Sequence, residues 1–477
     1  MEEAPQHFDF AILGGGSAGY AAARTAASLN LHTAVIDGAE ELGGLCILRG
    51  CMPSKTLIET ANRALVLRNA GEFGLSRPQF QEVDTRFVRF RKRRLIHEFA
   101  SYRQEQLQQG RFELIRGTGT FESAEGDILR LRIQLREGGE KFITAGSVLI
   151  ATGSVISVPK ISGLSEAGYW TSDTLLDVEE IPPAITVLGG GAIALEMAHY
   201  LEAIGRKVNV IQRSPQLLRG MDPGAAQVVK EAFEQRGMKI HTGTELGRVE
   251  KTAQGKRVYF QQDGADKFVD ANEVLVALGR KPATSSLALE KTGAQITQQG
   301  SVVVSATMQS ANPRIFAAGD VCGPLEVVHL AIQQGEIAAR NAAAILNGLE
   351  PKEKIDYRCK LYGVFTHPQV AAVGLTEEEA KEQGLSILTA SYPFNDHGKS
   401  MVMGETDGFV KLIASAENGT LLGGVVVGPE ATELIHEIVV AMHFNATARS
   451  LSQVPHYHPT LSEIWTYPAE EIADQIP

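Results

Sequence analysis

Short apolar runs that end in glycine alternate with alanine-rich stretches of helical period through most of the chain. Residues 8–13, Phe-Asp-Phe-Ala-Ile-Leu, run into three glycines and predict a parallel strand buried on both faces. Residues 17–29 are alanine-rich and predict a helix, and residues 33–37 predict the next strand. The same succession returns at residues 185–188, 192–204 and 208–211. Each unit is followed by an apolar strand that ends in a small-residue turn: V-L-I-A-T-G at 148–153, which holds Thr152 and Gly153, and V-L-V-A-L-G-R at 274–280, which holds Gly279. A strand–turn–helix–strand unit that occurs twice is an internal repeat, and it predicts two nucleotide-binding domains of one ancestry. Between Cys51 and Ala145 the pattern reads as helical, with the basic run at residues 86–94 as a solvated helix face. From Pro351 onward, alternating apolar runs such as 409–413 and 421–427 predict an antiparallel sheet with helices. The pattern is that of an α/β protein with a C-terminal α+β region.

Composition narrows the partners. A chain of 477 residues is long enough for about three domains. With 44% hydrophobic and 21% charged residues it is globular rather than disordered. The net charge of −11, with no long basic run, excludes nucleic acid and an anionic membrane as main partners. No apolar run reaches the ~18 residues of a membrane span. The start, Met1-Glu2-Glu3-Ala4-Pro5, lacks the basic-then-apolar pattern of a signal peptide, so a cytoplasmic location is expected.

The candidate chemistry sits beside the glycines. In Gly14-Gly15-Gly16-Ser17-Ala18-Gly19, Gly14 allows a tight turn and Gly16 lets the backbone approach a pyrophosphate. Gly19 permits close helix–strand packing, and Asp37 stands where an acid accepts hydrogen bonds from a ribose. The second fingerprint holds Gly189, Gly191 and Ala194, and the position equivalent to Asp37 is Gln212. Arg213 and Arg219 follow it. An acid there would repel a 2′-phosphate; Gln212 does not, and arginine forks suit phosphate, so NADP(H) is expected over NAD(H). Two of the four cysteines lie in Gly43-Gly44-Leu45-Cys46-Ile47-Leu48-Arg49-Gly50-Cys51-Met52-Pro53-Ser54-Lys55. In a reducing cytosol such a pair is redox-active or metal-binding rather than a structural staple. A structural zinc site needs two further ligands, and Cys322 and Cys359 are single and read as ordinary buried or half-buried thiols, so no metal is expected. Pro53 suits the first turn of a helix, which places the pair at a helix N-terminus, where thiolates are favoured.

These motifs resemble the pyridine-nucleotide disulfide oxidoreductases, close to the dihydrolipoyl dehydrogenases. The family's G-G-x-C-x4-C-x-P-[ST]-K matches residues 43–55, and its H-x-H-P-T-L-S-E matches His456 to Glu463. The resemblance runs from about residue 8 to about residue 470. It implies two Rossmann-like domains and a C-terminal dimerisation domain. The FAD domain would comprise 1–158 and 283–350, the NAD(P) domain 159–282 and the interface domain 351–477.

The resemblance also assigns roles. Cys51 lies against the flavin and Cys46 meets the substrate disulfide; Lys55 and Glu196 form an ion pair beside the reactive flavin nitrogen. Asp320, in Phe316-Ala317-Ala318-Gly319-Asp320, holds the ribityl chain of FAD. His458 is the acid–base with Glu463 on its second ring nitrogen, His456 supports the fold, and the histidine comes from the other subunit of a homodimer.

Three departures stand out. Leu48-Arg49 replaces a common Asn-Val and adds a cation near the thiols. Residues 395–400, Asn-Asp-His-Gly-Lys-Ser, replace an arginine–alanine pair, and Ala192 stands where the family often has an aromatic ring. The expected activity is an FAD-dependent, NAD(P)H-linked reductase of a small or protein-borne disulfide. The alternatives are an NAD-linked dihydrolipoyl dehydrogenase, a mercuric-reductase-like metal reductase, and a flavin transhydrogenase or diaphorase. Metal-reducing relatives carry a C-terminal cysteine pair, whereas this chain ends Asp474-Gln475-Ile476-Pro477.

Overall fold

The computed structural model describes residues 5–76 and 83–476. Met1 to Ala4, on which the reading of the N-terminus rests, and Pro477 of the tail lie outside the described residues. The chain divides into two compact units. The first comprises the residues up to Pro53, Arg91–Ser157 and Arg280–Asp356; the second comprises Ser54–Phe90, Val158–Gly279 and Tyr357 to the C-terminal end.

The first unit is built on a seven-stranded sheet. Gln6–Leu13 pairs in parallel with Thr33–Ile36 on one side and Glu140–Ile150 on the other. Glu113–Ile115 extends the parallel part beyond Thr33–Ile36, and Ile315–Ala317 pairs in parallel with Glu140–Ile150. Ile128–Leu135 and Gly117–Glu125 continue the sheet antiparallel. The helix Ser17–Ser28 leaves the first strand through the glycines and packs on Val328–Leu346. Their approach is close: a side-chain carbon added to Gly335 would stand 2.2 Å from the Ala18 carbonyl.

The helical expectation for the segment up to Ala145 holds only in its first part. Cys51–Asn69 and Thr85–Gln108 are helices, and strands follow from Glu113. The reason is visible in Ile128–Leu135: Leu129, Leu131 and Ile133 are buried while Arg130, Arg132 and Gln134 face water, which is a period of two. The basic run is not wholly solvated either. Val88, Lys92, Ile96 and Ala100 recur every fourth residue on the buried face of Thr85–Gln108, so Lys92 is only 5% exposed.

The second unit contains a five-stranded parallel sheet in the order Lys239–His241, Lys207–Ile211, Ala184–Leu188, Glu273–Val276, Trp170–Thr171. The helices Ala192–Ala203 and Pro223–Gln235 accompany it. A three-stranded antiparallel sheet, Thr244–Thr252, Gly255–Gln262 and Ala265–Ala271, is attached. The C-terminal region folds as a five-stranded antiparallel sheet covered by Ala431–His443 and Thr466–Ala473. Its core gathers Val410, Leu412, Ile435, Ile438 and the fully buried Trp465.

Candidate active site

In the first unit the fingerprint is forced by close approach. A side-chain carbon on Gly19 would lie 1.8 Å from the Gly14 carbonyl oxygen, so only glycine lets the helix start this near the strand. Helix Ser17–Ser28 has Gly16 at its N-cap and no side-chain cap, which leaves the first-turn N–H groups for an anion. Asp37 is 8% exposed; its Oδ2 accepts from Gly15 N at 2.8 Å and its Oδ1 from Ala39 N at 2.8 Å. Asp320 Oδ2 accepts from Ser154 Oγ at 2.6 Å, and Ser154 Oγ accepts from Arg280 Nε at 2.8 Å. Burial, and then Asp320, push the Glu326 carboxyl above its usual range. Thr152 Oγ1 donates to the Ala283 carbonyl at 2.8 Å, and Gly153 turns the chain with φ +70°. Burial pushes the thiol of Cys322, next to Asp320, up to about 12. These residues fit FAD: a bare helix N-terminus for its pyrophosphate, Asp37 for a ribose and Asp320 for a polar chain.

The dithiol loop reaches the same fingerprint through a second pair of glycines. A side-chain carbon on Gly44 would sit 2.7 Å from Gly16 Cα. Half-buried Cys46 lies in the short helix Leu45–Leu48, and exposed Cys51 opens the 19-residue helix Cys51–Asn69, at the positive end of its dipole. Arg49 is exposed. A further cation, outside the motifs, belongs to the same unit. Arg103 packs 4.1 Å from the centroid of the Tyr20 ring, burial holds its guanidinium below the ordinary arginine range, and Tyr20 and Cys46 favour its charge while Arg24 opposes it. A cavity of about 420 Å³ beside this stack is lined by Tyr20, Arg24, Tyr102, Gln106, Arg111 and Phe112.

In the second unit Lys55 Nζ donates to both carboxylate oxygens of Glu196, at 2.9 and 2.8 Å. Glu196 is buried and also accepts from Phe365 N at 3.1 Å, while the Lys55 ammonium lies 4.5 Å from the Phe365 ring centroid. Lys55 sits one helical turn after Cys51, on the same helical face. Gly189 turns with φ +122°, Gly191 is the N-cap of Ala192–Ala203, and Ala194 is fully buried. Gln212 folds over Gly190, its Cγ 2.8 Å from where a side chain would be, as Asp37 folds over Gly15. Arg213 and Arg219 are exposed, and Gly279 turns with φ +115°.

His458 is 78% exposed at its side chain, and its Nδ1 lies 3.0 Å from Oε2 of Glu463, itself only 12% exposed. His456 is tied down by the Val454 carbonyl at 2.8 Å and Glu437 at 2.6 Å. A second histidine reaches the same carboxylate: His397 Nε2 lies 3.4 Å from Glu463 Oε1. Burial holds His397 below the usual histidine range, against an opposing pull from Glu463. The sequence singled out 395–400 only as a departure; nothing local in it reveals this partner. The dithiol, Asp37 and Asp320 belong to the first unit, while the ion pair and the histidine pair belong to the second. Among the described residues no cluster of His, Cys, Asp and Glu is arranged to hold a metal ion.

Residues 8–335 match the family described as pyridine nucleotide-disulphide oxidoreductase, and residues 362–469 match its dimerisation domain. The chain is 34% identical to a dihydrolipoyl dehydrogenase of Thermus scotoductus over 98% of each chain. It is 32% identical to a mercuric reductase of Bacillus cereus over 97% of this chain and 71% of that one. Its fold is similar to the crystal structure of LpdA from Mycobacterium tuberculosis, with a TM-score of 0.85, 29% identity, and 98% and 99% of the two chains covered. The Cu(II) complex of the HOCl-induced flavoprotein disulfide reductase RclA from Escherichia coli follows with a TM-score of 0.83, 26% identity and the same coverage. Fingerprints, dithiol and matches agree: the chain belongs to the pyridine nucleotide-disulphide oxidoreductases, FAD-dependent enzymes that act on sulfur with a pyridine nucleotide.

Proposed function

We propose that the chain is a cytoplasmic, homodimeric NADPH-dependent reductase of a small or protein-borne disulfide. The observation that carries this reading is the dithiol segment, held against the first fingerprint by Gly44 and Gly16 with Cys51 at a helix N-terminus. Asp37, Asp320 and the N-terminus of Ser17–Ser28 would hold FAD, which supplies two-electron transfer between the nucleotide and the dithiol. The Cys46 thiolate attacks one sulfur of the substrate disulfide and forms a mixed disulfide. The departing thiolate takes a proton from His458, whose cation Glu463 stabilises. The Cys51 thiolate then attacks the Cys46 sulfur, closes the Cys46–Cys51 disulfide and expels the second product as a thiolate, which takes its proton from water. Two electrons from NADPH restore the dithiol, so one disulfide becomes two thiols per nucleotide. Arg103, whose charge Cys46 favours, and Arg24, which shares the Tyr20 ring with it, favour a disulfide that carries negative charge. Gln212, Arg213 and Arg219 support NADP(H) over NAD(H).

The relatives named dihydrolipoyl dehydrogenase favour a second reading, oxidation of a dithiol with NAD⁺. One experiment separates the two. Turnover is measured with lipoamide, glutathione disulfide and an aromatic dicarboxylate disulfide, with each nucleotide and in both directions. Reduction of disulfides with NADPH is expected, fastest for anionic ones; preferred dihydrolipoamide oxidation with NAD⁺ would reverse the assignment. Cys46→Ser should abolish disulfide turnover and leave NADPH-driven ferricyanide reduction. Full disulfide turnover in that variant would remove the dithiol from the reaction.

A further inference from the structure

Glu463 stands between two imidazoles. Its Oε2 lies 3.0 Å from His458 Nδ1 and its Oε1 lies 3.4 Å from His397 Nε2. The two histidines differ in surroundings, because the His458 side chain is 78% exposed and His397 is fully buried. His397 Nδ1 is 2.8 Å from the hydroxyl of Ser400, which is also buried. Its Nε2 lies 3.4 Å from Oε1 without forming a hydrogen bond within the ordinary geometric limits, and the Thr460 backbone also faces this imidazole.

The proton positions follow from the donor inventory. An ionised carboxylate only accepts, so each ring nitrogen that faces Glu463 must carry a proton. His397 then has its proton on Nε2, and its Nδ1 lone pair accepts the Ser400 hydroxyl. His458 has its proton on Nδ1, which leaves its solvent-facing Nε2 as the base. Burial disfavours the His397 cation, which would compete with His458 for the carboxylate.

We propose that His397 is a positioning residue for the acid–base pair: with its tautomer set by Ser400, it holds Oε1 of Glu463 so that Oε2 stays turned to His458. This rests on the reading of His458 as the proton donor in disulfide reduction. His397 and Ser400 both fall in the segment that departs from the arginine–alanine pair of the dehydrogenases.

The test uses the holoenzyme and two activities, disulfide reduction over a range of pH and NADPH-driven ferricyanide reduction. His397→Leu removes the donor and should lower disulfide kcat by about tenfold, a part of the ~10²–10⁴ that acid–base catalysis supplies. The midpoint of its pH profile should also fall, because a loosened Glu463 no longer favours the His458 cation. Ferricyanide reduction should not change. His397→Gln places an amide N–H where Nε2–H stands and should restore both kcat and midpoint. Unchanged disulfide turnover in His397→Leu, or failure of His397→Gln to restore it, overturns the proposal. If His397→Leu also loses ferricyanide reduction, Ser400→Ala decides. A several-fold loss of disulfide turnover there supports the proposal, and wild-type turnover and profile overturn it. His458→Ala tells the two readings apart: if it retains full disulfide turnover, the acid–base assignment itself fails.

Discussion

Gln212 occupies, over Gly190, the place that Asp37 occupies over Gly15, and in the proposed NADPH-dependent reading this exchange alters what the second nucleotide site repels. A carboxylate there would pair with two ribose hydroxyls and oppose a 2′-phosphate; an amide does neither with force. Arg213 and Arg219 are exposed and make no ion pair among the described residues, so both are available to a phosphate. A charged hydrogen bond contributes ~1.5–3 kcal/mol, and ~1.4 kcal/mol is tenfold. The ratio of kcat/KM for NADPH over NADH should therefore exceed one in the wild type. It should fall by at least about tenfold in Arg213→Ala with Arg219→Ala. Steady-state kinetics with both nucleotides checks this; a ratio below one, or one that the double substitution leaves alone, returns the chain to NAD. At this scale the sequence was readable where a motif fixes a backbone, as at Gly14 and Gly19. It is silent where distant residues meet, as His397 does with Glu463, because no short-range pattern encodes such a meeting.

Elements were legible in proportion to their periodicity. The two strand–glycine–helix units have buried strands bounded by glycine, and they fold within a residue or two of their expected ends. The strands from Glu113 to Leu135 fall inside the helical reading although Ile128–Leu135 alternates with a period of two, whereas the end of Glu140–Ile150 lies in the strand expected from Val148. Charged residues at its exposed positions resemble those of a solvated helix face. Lys92 was misplaced for a related reason: a single lysine on an apolar stripe looks solvated until the stripe is followed for a further turn. The least visible device is the meeting of the dithiol loop and the fingerprint, since it needs one glycine from each. Gly44 has φ +80°, and a side-chain carbon there would stand 2.7 Å from Gly16 Cα. Strain of about 1–3 kcal/mol is expected for Gly44→Ala, from the backbone conformation and the contact together. The loop should lift from the fingerprint, so the purified variant should lose flavin on gel filtration and unfold at lower temperature. Wild-type flavin content and Tm in Gly44→Ala would show that the approach is not needed.

At the scale of the whole molecule the open question is how many chains make one site. His458 is carried by the C-terminal region, matched by the dimerisation domain of the family, and its imidazole is 78% exposed in the single chain. The same region leaves Tyr457 84%, Phe444 75% and Val402 71% exposed, apolar surface that a lone chain would keep in water. Among the described residues no helix is long and apolar enough to place that surface across a membrane. A second copy of the chain is the occupant favoured in the homodimer reading, with each dithiol served by the partner's acid–base pair. In a two-fold dimer the exchange is reciprocal, so each dimer holds two such sites. Cys51→Ser and His458→Ala should each be inactive in disulfide reduction. When the two are mixed and their subunits exchange fully, half of the dimers are mixed and each holds one intact site, so activity should return to about a quarter of the wild-type value. Native mass spectrometry verifies the exchange before turnover is read. Verified mixed dimers without activity would place dithiol and histidine in one chain, and the exposed His458 would then need another explanation.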